Sequence, residues 1–497
     1  MKVSKSLISG KKYQIPSILD DKKNIDSFID QNNEKPIIVV QGLGFVGAVM
    51  SLVCANAING DYAVIGIDLP TKDSYWKIAS INDGIFPVTS SDKKVGHFFD
   101  NAKEKNNFIA TYDSYAYAKA DYIIVDINLD VQKNSTEMHD LINYDVNMSG
   151  FKKAIKDIGM NCKEDVLILI ETTVPPGTTK IASAIIKSEL QNRGLNDSKF
   201  KIGHSYERVM PGPNYIDSIQ NFYRVYSGID EKSADAVEVF LKTIISTDEY
   251  PLTRLINTNA TEVSKVLENS YRAMNIAFIV EWSRFAEEAG VDLYEIVDAI
   301  RMRPTHKNIM LPGIGVGGYC LTKDPLLASW SKQNIINGVD NLRMSEMAVS
   351  INDKMPEYAF NFLDSFFDKG IENMKVCLLG VSYLPDVGDT RYSPVELLYK
   401  CLKKKSCSIK LHDPFISYWD ELNLNVENNI NLLNEDFDII IFSTGHSEYK
   451  SNKYIIKEIM SKKKTFILDT IGILKKDEID LLSTKHNVKI LGRGDLK

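Results

Sequence analysis

The sequence predicts an α/β protein: two Rossmann-like, doubly wound domains joined by a helical middle domain. Three observations carry that expectation. Short apolar, β-branched runs alternate with helix-period segments between Pro36 and His204, which is the signature of a parallel sheet covered by helices. From about Thr258 the pattern turns helical, with apolar residues at i, i+3 and i+4 through Gly290. Near Met374 the strand–helix alternation starts afresh. A chain of 497 residues exceeds what one core supports, so several domains are expected. The composition shifts place them at 1–34 (an extension), 35–255, 256–370 and 371–497.

Composition narrows the function classes. Hydrophobic content of 44% and charged content of 25% are those of an ordinary globular chain, and a net charge of −7 gives no reason to expect a nucleic-acid or anionic-membrane partner. Neither a membrane-length apolar run nor a signal-peptide core occurs, so a cytoplasmic address is expected. The six cysteines are scattered without CxxC pairs, and the seven histidines lack metal-ligand spacing, so no metal and no disulfide framework are predicted.

Residues 1–34 are polar and lysine-rich and read as an arm before the first domain. Pro36–Gln41 then forms a buried strand that runs into Gly42-Leu-Gly44-Phe-Val-Gly47. A helix follows over Ala48–Ile58, then a strand over Ala63–Ile67, ended by Asp68, 26 residues after Gly42. GxGxxG alone is a weak signal. Between strand and helix, with an acid ending the next strand, it points to a dinucleotide. Gly42 permits the turn, Gly44 lets a pyrophosphate approach the helix N-terminus, and Gly47 lets helix and strand pack closely. Asp68 takes ribose hydroxyls and repels a 2′-phosphate, so NAD is expected as cofactor. The alternative is a βαβ unit with no ligand.

Further runs at Tyr122–Ile127, Val166–Ile170 and Lys201–His204 continue the sheet, separated by amphipathic stretches such as Tyr144–Ile158 and Thr178–Leu190. Two of their ends lead into proline-fixed loops, Glu171–Gly177 and Ser205–Gly212, the latter carrying Glu207 and Arg208. On the helical stretch, Lys265 and Asn269 lie four apart and share a face. A second helix is expected over Arg343–Phe367, with a possible dimer surface.

Gly313–Pro325 concentrates glycines ahead of Cys320 and places Asp324 four residues beyond it. Glycines let backbone amides approach a ligand, and Pro325 suggests that helix begins only after the loop. A nearby helix N-terminus would favour the thiolate. A buried cysteine beside a tight turn is the alternative. In the third region come the strand Lys375–Gly380, the loop Val381–Pro394 with Asp386, Asp389 and Arg391, a helix over Val395–Lys403, and strands over Ser408–His412, Phe437–Phe442 and Thr465–Asp469. It lacks GxGxxG, so no second dinucleotide is expected there.

Taken in order, Gly42–Gly47, Glu171–Gly177, Glu207–Gly212, Lys265 with Asn269, Gly313–Pro325 and Asp386–Pro394 resemble the UDP-glucose/GDP-mannose (nucleotide-sugar 6-) dehydrogenases over about residues 35–495. The resemblance implies an NAD domain, a helical dimerising middle and a C-terminal domain for the sugar's nucleotide. It also implies oxidation of a C6 alcohol to a carboxylate with two NAD. By it, Cys320 is the nucleophile, Lys265 steadies oxyanions, Asn269 holds substrate, Asp324 orients Lys265 or a water, and Glu207 is an acid/base group. Gly42, Gly44, Phe45, Val46, Gly47, Asp68 and Thr173 would contact NAD. Arg208, Gly317, Tyr319 and Arg391 would contact the nucleotide sugar, and the Glu-Arg-Val-Met-Pro-Gly form points to the N-acetylated branch. A homodimer or higher homo-oligomer is implied.

This chain departs from the family pattern at Leu384 and Tyr392, where relatives carry lysine and glutamate, at His306 and Lys307 near a usual arginine, at Val280, and at Asp126–Asp130. Alternatives are a two-electron dehydrogenase, GDP-mannose as substrate, or a non-catalytic nucleotide-sugar-binding relative.

Overall fold

The apolar runs become the strands of two parallel sheets in a computed structural model that describes residues 2–134, 143–209 and 212–496. Met210 and Pro211 of the Glu207–Gly212 motif lie outside the described residues. The chain divides into two compact units: Met1–Gln132, Val146–Val266 and Trp330–Asp340, and then Lys133–Asp145, Leu267–Ser329 and Asn341–Lys497.

In the first unit an eight-stranded sheet runs in the spatial order Thr253–Arg254, Val225–Gly228, Lys201–His204, Leu167–Ile170, Tyr122–Val125, Ile37–Gln41, Ala63–Ile67, Phe108–Thr111. All neighbours are parallel except Lys201–His204 with Val225–Gly228. Ile37–Gln41 is buried at every position, as a strand covered on both faces must be. It lies between the strands that follow it in opposite directions, so the chain after Gln41 sits at the switch point where doubly wound sheets bind ligands. The helix after the glycine loop is Phe45–Ala55, earlier than the Ala48 start expected from the sequence. Tyr144–Ile158 is not one amphipathic helix, since Asn143–Val146 is a strand paired in sequence order with Val131–Asn134, and the helix is Ser149–Asn161. Before the sheet, strands Val3–Lys5 and Lys12–Gln14 form a hairpin, and a helix follows over Lys22–Gln31 with Ile25 and Phe28 buried.

The second unit contains a five-stranded, all-parallel sheet ordered Ser408–His412, Lys375–Leu379, Ile439–Phe442, Phe466–Asp469, Asn487–Ile490. Its core joins Val376, Leu378 and Ile441 of the sheet to Met355 and Leu363 of the helix Arg343–Asp364 and to Val280. Val280, one of the departures from the family pattern, is thus a fully buried core residue. The long helix Thr258–Ala289 gives its first turns to the first unit and the remainder to the second.

Candidate active site

Strand register assembles the first unit's site. Gln41 pairs with Ile67 and with Val125, Ile67 with Thr111, Val125 with Ile170, and Ile170 with His204. The residues that follow these strand ends, Gly42, Asp68, Asp126, Glu171 and Ser205, therefore form one row along the carboxyl rim.

The glycine loop fits a dinucleotide. Gly42 has a left-handed φ of +102°, and a Cβ there would lie 2.3 Å from the Asp126 carbonyl oxygen. A Cβ on Gly47 would meet the Gly42 carbonyl oxygen at 1.9 Å, so helix and loop touch as closely as the motif requires. Gly44, the N-cap of Phe45–Ala55, has open space on its Cβ side, which leaves the helix N-terminus clear for a pyrophosphate. Phe45 and Val46 are half-buried in the first turn, with Tyr215 Oη donating to the Phe45 carbonyl at 2.5 Å. Asp68 accepts the Leu43 and Leu69 amides at 3.2 and 2.7 Å and pairs with Lys77 at 3.0 Å. These are the features of an NAD site: a tight turn, an open helix end and a strand-terminal acid. Thr173 is buried in the loop after Leu167–Ile170. Glu262, which the sequence did not single out, takes the Gly177 and Thr179 amides at 2.6 and 2.7 Å and so fixes the end of that loop. Burial pushes its carboxyl up to about 7 despite those bonds.

Next along the rim lies a buried charged cluster. Arg224 is paired with Glu171 beneath the row, and both side chains are buried. Burial raises the Asp126 carboxyl well above the usual range, and the neighbouring Glu171 and Glu207 charges add to it. Glu171 is likewise raised by burial, against the pull of Arg224. Lys265 Nζ donates to the Glu207 carbonyl oxygen at 2.8 Å, lies 3.6 Å from the Glu207 carboxylate and stands 5.3 Å over the Tyr206 ring. The Arg208 guanidinium is held between the Tyr206 and Phe222 rings, 5.7 Å from each centroid. The structure thus brings Glu207, Arg208 and Lys265 together, from segments more than fifty residues apart.

In the second unit, the helix after the glycine-rich loop is Asp324–Asn334, so Cys320 precedes it in a turn where the Lys323 and Asp324 amides donate to the Cys320 carbonyl at 3.2 and 2.9 Å. Cys320 is exposed, whereas Cys54, Cys162, Cys377, Cys401 and Cys407 are buried. Asp324 is fully buried and accepts from Asn269 Nδ2 at 2.6 Å and Lys323 Nζ at 2.9 Å. Nothing in the sequence singles out Lys323, whose ammonium also lies 4.6 Å from the Tyr319 ring.

The loop's glycines have a packing role beyond the expected one. A Cβ on Gly317 would lie 2.5 Å from Tyr383 Cβ and 2.8 Å from Pro394 Cδ, and one on Gly318 would strike the Tyr383 ring. Close approach here is to the Val381–Pro394 loop itself, while Gly313 retains open space. Arg391 is fixed on Asp389 through Nε at 2.9 Å and Nη2 at 2.6 Å, and Tyr392 lies 5.9 Å from Tyr319. Asp389 is therefore the counter-ion of Arg391 in this structure. A cavity of about 230 Å³ opens beside the loop, lined by Val316, Thr322, Tyr392, Lys133 and Lys400 among others.

The base of that loop is organised by Asp413, the residue after the strand Ser408–His412. Its carboxylate accepts from the Val381 and Ser382 amides, the Ser382 hydroxyl and the Phe415 amide at 2.7 to 3.0 Å, and from His446 Nε2 at 3.0 Å. The Asp386 amide donates to His446 Nδ1 at 3.0 Å, which directs the ring's Nε2 hydrogen at Asp413. Among the described residues no group of three His, Cys, Asp or Glu is placed to hold a metal ion, and no helix is long and apolar enough to cross a membrane.

Comparison with known proteins adds three family-model matches. They are the NAD binding domain of the UDP-glucose/GDP-mannose dehydrogenase family over residues 36–245, its central domain over 259–354 and its UDP binding domain over 377–476. The UDP-N-acetyl-D-mannosamine dehydrogenase of Methanocaldococcus jannaschii is 30% identical over 472 residues, covering 94% of this chain and 99% of that protein. The NDP-N-acetyl-D-galactosaminuronic acid dehydrogenase of Ralstonia nicotianae is 24% identical, covering 83% and 91%. The solved UDP-D-ManNAc dehydrogenase from Pyrococcus horikoshii superposes with a TM-score of 0.75 at 25% identity, covering 92% of this chain and all of that one.

Proposed function

Since this chain belongs to the UDP-glucose/GDP-mannose dehydrogenase family and is an NAD-dependent nucleotide-sugar dehydrogenase, we propose that it oxidises the C6 hydroxyl of a UDP-linked N-acetylhexosamine to the carboxylate, in two steps. The observation that carries this reading is the exposure of Cys320 alone among the six cysteines, on the turn ahead of a buried and fully engaged Asp324. A thiol must be accessible to add to a carbonyl, and a buried one is inert.

NAD supplies the hydride acceptor for both oxidations. Cys320 Sγ adds to the C6 aldehyde, its proton going to the aldehyde oxygen, and keeps the half-oxidised sugar bound as a thiohemiacetal. Loss of hydride from C6 and a proton from that hydroxyl leaves a thioester, which water cleaves to the carboxylate and the free thiol. Lys265, cationic and directed by the Glu207 carbonyl, steadies the oxyanions at C6, and the Glu207 carboxylate accepts the proton of the attacking water. Asn269, oriented by Asp324, donates to the sugar. In this reading residues 35–255 hold NAD, 256–370 form the central domain, and 371–497 hold the nucleotide, with Arg391 toward its phosphates.

The N-acetylhexosamine assignment is supported by the activities for which the relatives above are named and by the clamped Arg208. The purified protein, given NAD with UDP-N-acetylmannosamine, UDP-N-acetylgalactosamine, UDP-glucose or GDP-mannose, is expected to release two NADH per sugar with one of the first two. One NADH per sugar would make it a two-electron enzyme. None with any sugar, despite binding, would leave a non-catalytic relative.

A homodimer fits the same reading. On the long helix, Leu267, Tyr271, Phe278, Trp282 and Phe285 are 44% to 63% exposed and recur at helical spacing, an apolar stripe that a soluble chain covers. Trp282→Glu is expected to halve the mass measured by light scattering; an unchanged mass would remove this face from the assembly.

A further inference from the structure

We propose that the N-terminal arm, residues 2–34, is a positioning element for the adenosine half of the cofactor site; this rests on the assignment of Asp68 to the adenosine ribose. The arm precedes the first sheet strand, yet Ser4, Tyr13 and Asp21 bond to the segment that continues from Asp68 and to the end of the neighbouring edge strand Phe108–Thr111.

One contact is made by Ser4, which is fully buried although it lies in a short terminal hairpin. Its hydroxyl donates to the Lys72 carbonyl at 2.6 Å and accepts the Trp76 amide at 3.0 Å. It thereby ties the loop after Asp68 to the first turn of the helix Tyr75–Asn82. The next residue of that turn, Lys77, is the one that pairs with Asp68. Tyr13 adds a bond from Ser80 at 3.3 Å on the same helix. The other contact is made by Asp21 at the end of Phe108–Thr111. Its carboxylate accepts the Thr111 hydroxyl at 2.6 Å, and its amide donates to Asp113 at 2.9 Å. The Thr111 carbonyl in turn accepts the Asp68 amide at 3.2 Å. Tyr75 and Tyr112, one from each segment, face each other at 6.1 Å, and burial with the Asp21 charge nearby pushes the Tyr112 hydroxyl up to about 12.

Loops at a sheet rim are the mobile parts of such a fold unless something fixes them. Fixing them before the ligand arrives removes part of the ordering cost of binding. The arm does this for the ribose acid's own loop and for the loop after the adjacent edge strand, through bonds spanning 68 to 92 residues of sequence.

The test uses full-length Ser4→Ala and Asp21→Ala proteins, titrated calorimetrically with NAD, ADP-ribose and UDP. In each, the Kd for NAD and for ADP-ribose is expected to rise about tenfold while that for UDP stays unchanged. In turnover the KM for NAD rises at constant kcat. Asp21→Asn keeps an acceptor for Thr111 and is expected to bind NAD nearly as the parent does. Unchanged NAD and ADP-ribose affinity in Ser4→Ala and Asp21→Ala, with only a lower melting temperature, would overturn the proposal and leave the arm a structural cover. ADP-ribose binding needs no turnover, so inactivity toward every sugar would defeat the proposed reaction without touching this inference. An unmodified protein that fails to bind ADP-ribose would defeat the Asp68 assignment and the arm's role together.

Discussion

Serine in place of Cys320 is expected to lower steady-state formation of the sugar acid by at least about 10³-fold, the scale on which an essential nucleophile matters. The thiol is a far better nucleophile than a hydroxyl at neutral pH, so a serine in its place adds to the aldehyde far more slowly. Because residue 320 is exposed on a turn, the exchange should leave stability within about 0.5 kcal/mol, so lost activity cannot be attributed to unfolding. NAD affinity, measured by titration, should also be unchanged. Rapid mixing with NAD and substrate should then show at most a first equivalent of NADH and no acid. Acid release at the parent rate would remove Cys320 from the nucleophile role and with it the thioester route.

The parts of this site that were legible in the sequence are those whose chemistry is local. Gly42, Gly44 and Gly47 announce their role because the turn, the open helix end and the close packing each demand a glycine at fixed spacing. Asp68's place beside Gly42 could be foreseen because strand register puts it there, and register follows from the apolar pattern of two adjacent strands. What was missed depends on partners far away in the chain. Glu262 caps a loop more than eighty residues before it, and nothing in its own helix-period surroundings marks it as other than a surface acid. Lys323 reads as one charge beside another until the fold buries it with Asp324. The glycines Gly317 and Gly318 suggested a ligand against the backbone, and the tightest neighbour proved to be Tyr383, 65 residues or more further on. Very short strands such as Thr253–Arg254 carry too few residues for a period to show. The same reasoning explains why residues 1–34 read only as an extension or partly ordered arm. Their order comes from Ile25, Phe28 and the long-range bonds of Ser4 and Asp21, not from a local pattern.

Asp413→Ala is expected to destabilise the second unit by about 3–5 kcal/mol, because it strips a buried carboxylate from its donors: the Ser382 hydroxyl and His446 Nε2, 3.1 Å apart, can turn to each other, while the amides lose their acceptor. Five donors converge on it: the Val381, Ser382 and Phe415 amides, the Ser382 hydroxyl and His446. Burial alone would raise the carboxyl, yet the bonds from His446 and Ser382 more than offset it and hold the group at about 2. A folded value below the ordinary aspartate value of 3.8 means that ionisation favours the native state. The contribution is thus complete above pH 3.8 and is lost as pH falls toward 2, amounting to roughly 2 kcal/mol by linkage. Denaturant titration at pH 7 and again near pH 3 should therefore show the gap between Asp413→Ala and the parent narrowing in acid. The functional consequence follows the same bonds, since the Val381–Asp386 segment that Asp413 holds also carries Tyr383, the ring against Gly317 and Gly318. Loosening it should raise the KM for the nucleotide sugar while NAD affinity, which depends on the first unit's rim, stays constant. A destabilisation below about 1 kcal/mol at pH 7 would show that the converging donors find water instead, and that the loop is held by its packing rather than by Asp413.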